Sequence, residues 1–353
     1  MQQGEQFRDG QVATPLGGGD INGCLVGKIL FEHKYEEIIS LENLFEAWGE
    51  FRVGKKIKAA VQRFELNLMS NLITLHESLT DGTYRHSEYR TRIINDPKRR
   101  VINVAGVRDR VLHRAIYRKL YPFFDKLFIA DSFSCRNEKG THKALDRFKL
   151  MAGQVSMNNR RTCWVLKCDV RQFFASIDQR VLLQILSKRI VDKKIMWLLA
   201  RIISSFSSSR PGVGLPLGNL TSQLLANVYL NELDQFVKQK MKIKHYIRYA
   251  DDFVLLSRDK YELRRLLYVI SDWLSAELKL WLHPAKVSIS TMASGVDFLG
   301  WVHWPEHRIL RGVTKKRMLR KVEIGVGENS LASYRGMLSW GNTYELSKNL
   351  DDQ

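Results

Sequence analysis

The chain has 353 residues, 44% of them hydrophobic, enough for two or three domains' worth of structure around a sizeable core and too apolar for a disordered polymer. Lys and Arg number 56 against 37 Asp and Glu, giving a net charge of +19 and a pI near 9.8; the expected partner is a polyanion, nucleic acid before membrane. Four cysteines without a CxxC pair argue against a zinc ribbon or disulfide framework, and the apolar run IMWLLARIISSF is broken by Arg201 and too short to cross a bilayer.

In chain order, residues up to about Asn22, centred on Gly17-Gly18-Gly19, read as flexible and carry no apolar signal core. From Glu36 to Gly82 the pattern is helical. YRTRIINDPKRRVINVAG predicts two short strands around a turn at Asn95-Asp96-Pro97. The next segment, VRDRVLHRAIYRKLYPFFDKLF, predicts a helix with Val111, Leu112, Ala115 and Leu120 on its apolar face. Arg110, Arg114 and Arg118 fall on another face, expected to be solvated. TCWVLKCDVRQFFASID reads as a strand entering a turn, followed by a helix from Gln179. RPGVGLPLGNLTSQ is a Gly/Pro-punctuated loop feeding a helix over Thr221–Lys240.

HYIRYADDFVLLSRD then places Asp251 and Asp252 between two apolar strands. A helix follows over Lys260–Leu278, then short strands in KVSIS and VDFLGWVHW; after Arg308 the chain reads as basic and helical. From Trp164 to Ser290 this order approximates a split βαβ arrangement, an antiparallel sheet backed by helices.

An Asp-Asp pair alone fits a polar hairpin tip. Asp169, at the end of another apolar strand, makes a third carboxylate that the same sheet can bring alongside. Joining a hydroxyl to a nucleoside triphosphate requires two divalent ions held by such carboxylates and by the substrate's phosphates.

These residues resemble reverse transcriptases. YADD at Tyr249–Asp252 looks like their motif C, DVRQFF at Asp169–Phe174 like motif A, and GLPLGNLTSQ at Gly214–Gln223 like motif B. Within that superfamily the chain is similar to the enzymes of diversity-generating retroelements, through GLPLGNLTSQLLANVYLNELDQFVK and SYRGMLSWGNTY. The resemblance implies an α+β right-hand polymerase with a split βαβ-like antiparallel palm sheet. An N-terminal extension and the start of the fingers would occupy 1–90, the fingers 91–160, the palm 161–300 and a thumb 301–353. It implies that Asp169, Asp251, Asp252 and the Val170 carbonyl hold two Mg²⁺ ions, with Mn²⁺ as a substitute, and that Lys286 donates a proton to the leaving pyrophosphate.

The incoming dNTP would meet Lys98, Arg100, Val170, Gly218, Gln223 and Phe174, the last a steric gate against the 2′ hydroxyl; Phe173, on the opposite side of an extended strand, would go to the core. Leu217, Ser222 and Tyr249 would face template or primer, and Phe298 and Gly300 would belong to a primer grip. Motif B departs from the intron and retroviral pattern: Leu217-Gly218 stands for Gln-Gly and Ser222-Gln223 for Ser-Pro. The resemblance implies that this chain shares the departure with diversity-generating enzymes, which are error-prone opposite template adenines.

The function implied is a cytoplasmic enzyme, encoded by a bacterium, archaeon or phage. It would copy a template-repeat RNA into error-bearing cDNA and handle the RNA/cDNA duplex with a small basic accessory variability protein that forms an oligomeric ring. The alternatives are a faithful retron, group II intron-like or defence-associated reverse transcriptase, and, in another class, a non-catalytic RNA-binding scaffold. The three clustered carboxylates argue against the scaffold, since they repel one another without metal.

Overall fold

The computed structural model describes residues 29–95 and 99–351. The glycine-rich N-terminal stretch and Lys98 lie outside the described residues. The chain begins with helices α1 (Tyr35–Ile39), α2 (Leu41–Arg52), α3 (Ala59–Leu66) and α4 (Leu68–Thr80). Ser40 caps α2 by accepting a hydrogen bond from the Asn43 amide, which satisfies one of the helix's unpaired N–H groups. Strands β1 (Arg90–Ile94) and β2 (Arg100–Val104) form a two-stranded antiparallel ribbon.

Helix α5 (Val107–Leu127) follows, with Val111, Leu112, Ala115 and Leu120 buried as its spacing predicts. Its arginine face is only half-solvated. Arg118 pairs with Glu46 and Glu50, Arg114 lies 3.6 Å from Glu50, and Arg110 sits over the Phe51 ring. Acidic residues on α2 turned the stripe into a helix–helix seam, a pairing that periodicity within α5 cannot reveal.

Helix α6 (Thr141–Ser156) leads to β3 (Trp164–Asp169), then α7 (Phe173–Ser176), α8 (Gln179–Ser187), α9 (Lys193–Ser204) and α10 (Leu220–Gln235). Phe173 and Phe174 therefore stand on a short helix, not on an extended strand. Phe173 is still buried and Phe174 half-buried, for a helical reason. The helix expected to reach Lys240 ends in a π turn over Phe236–Lys240. Strands β4 (Tyr246–Tyr249) and β5 (Asp252–Ser257), α11 (Lys260–Leu278) and β6 (Ser288–Thr291) complete the central unit. Beyond it come β7 (Val296–Phe298), β8 (Trp301–His303) and β9 (Arg308–Leu310), then α12 (Gly312–Ile324), α13 (Glu328–Leu338) and α14 (Tyr344–Asp351). The residues after Arg308 thus begin with a strand rather than a helix: β9 pairs with β8 and closes a three-stranded meander.

The main sheet has the order β4-β5-β3-β6, every neighbour antiparallel. Strand alternation assigns its two faces to different cores. Leu166, Cys168, Tyr246, Phe253 and Leu255 join a large core with α1–α5 and α7–α11. Val165, Ile247, Val254 and Leu256 join a second core with α6, the β7–β9 meander and the terminal helices. Among the described residues no helix is long and apolar enough to cross a membrane.

Candidate active site

Antiparallel register builds the site. Asp169, the last residue of β3, lies directly opposite Asp252, the first of β5, and Asp252 also pairs with Tyr249 across the β4–β5 hairpin. Only Ala250 and Asp251 form the turn, with Ala250 at φ 54°, a left-handed conformation that costs a non-glycine residue roughly 1–2 kcal/mol. The Val170 amide donates to the Asp251 carbonyl at 3.3 Å, tying the two strand ends together. All three aspartates of the sequence analysis therefore meet at one end of the sheet.

The local field is crowded. Burial, and then the Asp169 charge, raises the Asp251 carboxyl above its ordinary range, against the pull of Lys286 and Arg100. Burial, reinforced by Asp169 and Asp251 and opposed by Lys167, pushes Asp252 up to about 6. Asp252 Oδ1 is buried without a hydrogen-bond partner. The Lys286 Nζ lies 2.6 Å from Asp169 Oδ1, and the Lys167 Nζ lies 3.9 Å from Asp252 Oδ1 while donating to the Asp297 carbonyl at 2.8 Å.

Oxygen-only donors, like charges forced together and an orphaned carboxylate oxygen are what a hard divalent cation would relieve. Among the described residues no three such side chains converge into a cage that holds an ion alone. Magnesium sites that borrow substrate phosphates need no such cage.

A stability consequence follows with a definite sign. A native carboxyl that titrates near 6 binds protons that the unfolded chain has released from about pH 4 upward, so this group's contribution to stability falls as pH rises from 4 to 6. Without divalent ions, Asp252→Asn should raise stability at pH 7.5 by roughly 1–3 kcal/mol and lose most of that advantage by pH 4.5. Urea titrations of both proteins at the two pH values test this; equal midpoints at pH 7.5 would contradict it.

A cleft of about 1210 Å³ opens at the carboxylates. Arg100, Phe174, Leu217, Gly218, Gln223, Tyr249, Asp251 and Asp252 line it, so these expected site residues are gathered in one place. Gly218 has φ 107°, and a Cβ there would stand 2.5 Å from Ile102 Cγ2. The loop is glycine because the β1–β2 ribbon docks on it. The Asn103 amide donates to the Leu217 carbonyl at 3.0 Å, and Asn219 Nδ2 donates to the Asn103 carbonyl at 2.9 Å.

Other expected residues sit elsewhere. Ser222 is buried in the packing of α10, with no open face toward the cleft. Phe298 is fully buried against Phe148 in the second core; of its hairpin, Leu299 at the turn lines the cleft, followed by Gly300 at φ 87°. Lys286 sits on a 3-10 turn beside Asp169, not at a strand start.

Sequence reasoning missed the residues that brace the turn. Arg248 and Asp234 are both wholly buried and doubly bonded, Nε to Oδ1 at 2.8 Å and Nη2 to Oδ2 at 2.6 Å. Arg248 Nη1 donates to the Ala250 carbonyl at 3.0 Å and to Asn227 Oδ1 at 3.2 Å, and the Tyr246 hydroxyl donates to Asp234 Oδ1 at 2.8 Å. An ionic residue inside each of two apolar runs was the available signal. Trp281, 54% exposed and lining the cleft, was missed as well.

An antiparallel palm sheet with carboxylates at one end, a ribbon folded over the cleft and helices beyond it is the right-hand polymerase plan. The chain belongs to the reverse transcriptase (RNA-dependent DNA polymerase) family, whose sequence profile matches residues 94–303, more than half of it. It is similar to the protein YkfC of Escherichia coli K12, at 27% identity over 299 residues, covering 73% of this chain and 76% of that one. It is also similar to the group II intron-encoded protein LtrA of Lactococcus lactis subsp. cremoris, at 30% identity over 175 residues, 47% of this chain. The match spans only 28% of LtrA. A solved structure of apo telomerase from Candida tropicalis overlaps 69% of this chain and 60% of its own at 13% identity and a TM-score of 0.48, too loose to argue from.

Proposed function

We propose that this RNA-directed DNA polymerase extends a primer by two-metal-ion nucleotidyl transfer, copying a template-repeat RNA of a diversity-generating retroelement with errors at template adenines. The observation that carries the chemistry is the register pairing of Asp169 with Asp252, with Asp251 on the adjoining turn. Asp169, Asp251, Asp252 and the Val170 carbonyl would hold the two ions, Mg²⁺ or Mn²⁺. Bound there, the ions supply activation of the primer 3′ hydroxyl and neutralisation of the departing pyrophosphate.

The remaining roles belong to side chains. Arg100 at the ribbon's edge, with Lys98 two residues before it, takes the triphosphate; charge-assisted bonds from guanidinium to phosphate are strong and directional. Lys286, held against Asp169, gives a proton to the leaving pyrophosphate. Gly218 and Gln223 flank the incoming nucleotide, Leu217 and Tyr249 face template and primer, and the Leu299-Gly300 turn supports the primer end. Phe174 excludes the 2′ hydroxyl. Phe174→Val should raise ribonucleotide use relative to dNTPs about 10–100-fold, measured as the ratio of kcat/KM for each; an unchanged ratio removes the gate role.

The mutagenic assignment rests on Leu217 in place of glutamine at the mouth of motif B, on the loop that carries the ribbon. The likeness to LtrA supports a second reading, faithful copying of the group II intron kind. Primer extension on an RNA template with four dNTPs and Mg²⁺, followed by product sequencing, separates them. Errors concentrated at template adenines support the first; evenly low errors support the second. No extension, with cognate RNA and a basic accessory protein supplied, would overturn the polymerase mechanism. The partners on this reading are template RNA, RNA/cDNA duplex, dNTPs and that accessory protein, in a cytoplasmic setting.

A further inference from the structure

Helix α11 buries Leu263, Ile270, Leu274 and Leu278 in the large core and turns its opposite face to solvent. In the first half of that outer face stand Tyr261, Arg264, Arg265 and Tyr268, all exposed. Each arginine is three or four residues from both tyrosines, the spacings that make side chains neighbours on a helix. The tyrosines are 70% and 65% exposed, more open than Trp281 in the cleft. Among the described residues none of the four side chains has a hydrogen bond, an ion pair or a ring contact.

The nearest acids are engaged otherwise. Asp259 caps the helix, accepting from the Tyr261 amide at 2.7 Å, and Glu262 accepts from the Ser257 hydroxyl. Asp272, one turn further on, ends the basic stretch. The flank is basic as well: Phe236, at the start of the π turn, stacks on Trp273 of α11 with centroids 4.6 Å apart, and Lys240 and Lys242 beyond it are exposed. None of these residues lines the cleft. Helix α11 begins where β5 leaves the sheet, at the far end of the strand that starts with Asp252.

The arrangement does not serve the helix, since Lys260 and Arg264, four residues apart, are like charges and like charges at that spacing destabilise. Guanidinium groups hold phosphates through paired, charge-assisted bonds, and exposed aromatic rings take the faces of unstacked bases. Tyrosine and arginine also anchor protein partners. Uncompensated positive charge on this face, in a chain of net charge +19, favours a polyanion.

We propose that the outer face of α11 is a second nucleic-acid site, which binds a single-stranded stretch of RNA outside the polymerase cleft. Arg264 and Arg265 hold phosphates while bases stack on Tyr261 and Tyr268. Seven residues of helix set the two rings about 10 Å apart along the axis, so the bases they take are splayed rather than stacked on each other. That the strand is RNA rests on the template-copying reading above; the site itself does not. Such a face holds part of the RNA while the cleft copies another part.

Two double variants test it, Tyr261→Ala with Tyr268→Ala and Arg264→Gln with Arg265→Gln. Alanine and glutamine are good helix formers, so both proteins should keep the parent's melting temperature. Binding of an unstructured single-stranded RNA to the full chain is followed by fluorescence anisotropy over a range of salt concentrations. The tyrosine variant should lose affinity about tenfold with the salt dependence unchanged. The arginine variant should flatten the slope of log K against log salt by about 1.4, roughly 0.7 for each lost phosphate contact. The same RNA carrying 4-thiouridine, irradiated with the parent, should crosslink to Tyr261 or Tyr268 as well as to the cleft.

Parental affinity in both variants, or crosslinks confined to the cleft, would overturn the proposal. Parental affinity together with loss of self-association in sedimentation would overturn it in favour of a protein contact. A DNA strand of the same sequence that crosslinks to this face in preference to the RNA would overturn the template and hand the face to the cDNA. Binding is read without dNTPs or divalent ions and primer extension separately, so a failed site and a failed polymerase give different results.

Discussion

Asp251→Asn is expected to reduce single-turnover nucleotide incorporation by at least about 10³-fold while leaving the fold intact. The substitution keeps size and shape but removes the charge from the residue at the tip of the hairpin, where it lines the cleft next to Asp252 and feels the Asp169 charge. Losing one preorganised electrostatic contact to developing charge costs roughly 10²–10³ in rate, and a lost ion ligand adds to that. The variant should not be less stable, since the native carboxyl is buried beside a like charge and titrates above its usual range. Rapid-quench incorporation and a thermal melt on the same preparation check both halves. A rate within tenfold of the parent would remove Asp251 from the chemistry. A collapsed melt would mean that the carboxylate serves the fold instead.

The largest expected stability effect lies beneath that turn. Asp234→Ala leaves the Arg248 guanidinium wholly buried without its counter-ion and takes the acceptor from the Tyr246 hydroxyl. Breaking a buried pair from one side costs roughly 3–5 kcal/mol, because a charge remains in the interior unpaired. A urea midpoint shift equivalent to under about 1 kcal/mol would show that the pair is not sealed from water as the structure has it.

The double variant Asp234→Leu, Arg248→Met separates stability from positioning. Apolar replacements of buried ion pairs are often neutral or stabilising, so most of the lost stability should return. Incorporation should stay low, because nothing then donates to the Ala250 carbonyl. Full recovery of rate would show that the left-handed turn holds itself.

The sequence revealed the palm well because its signals were local. Helix α11 occupies the Lys260–Leu278 span that its periodicity marks, and the apolar strands on either side of YADD pair as read. The convergence of Asp169 with Asp252 was legible once both stood at strand ends in an antiparallel sheet. What stayed hidden depended on partners far along the chain. Arg248 in β4 and Asp234 in α10 each look like a misplaced charge until the two are seen together. Arg118 seemed solvated until α2 supplied Glu46 and Glu50. The arginine stripe, Ser222 and Phe298 share that cause: burial is a tertiary property, and residue type and spacing alone do not tell which face another element covers.

The palm sheet has no outside. Val165, Ile247, Val254 and Leu256 on one face and Leu166, Cys168, Phe253 and Leu255 on the other are each sealed by a different set of helices and strands. A party wall of this kind makes the two halves of the molecule tenants of one structure. The terminal helices are weatherproofing for the strands that carry the aspartates, and a chain trimmed to its motifs would hold those carboxylates on a sheet open to the rain.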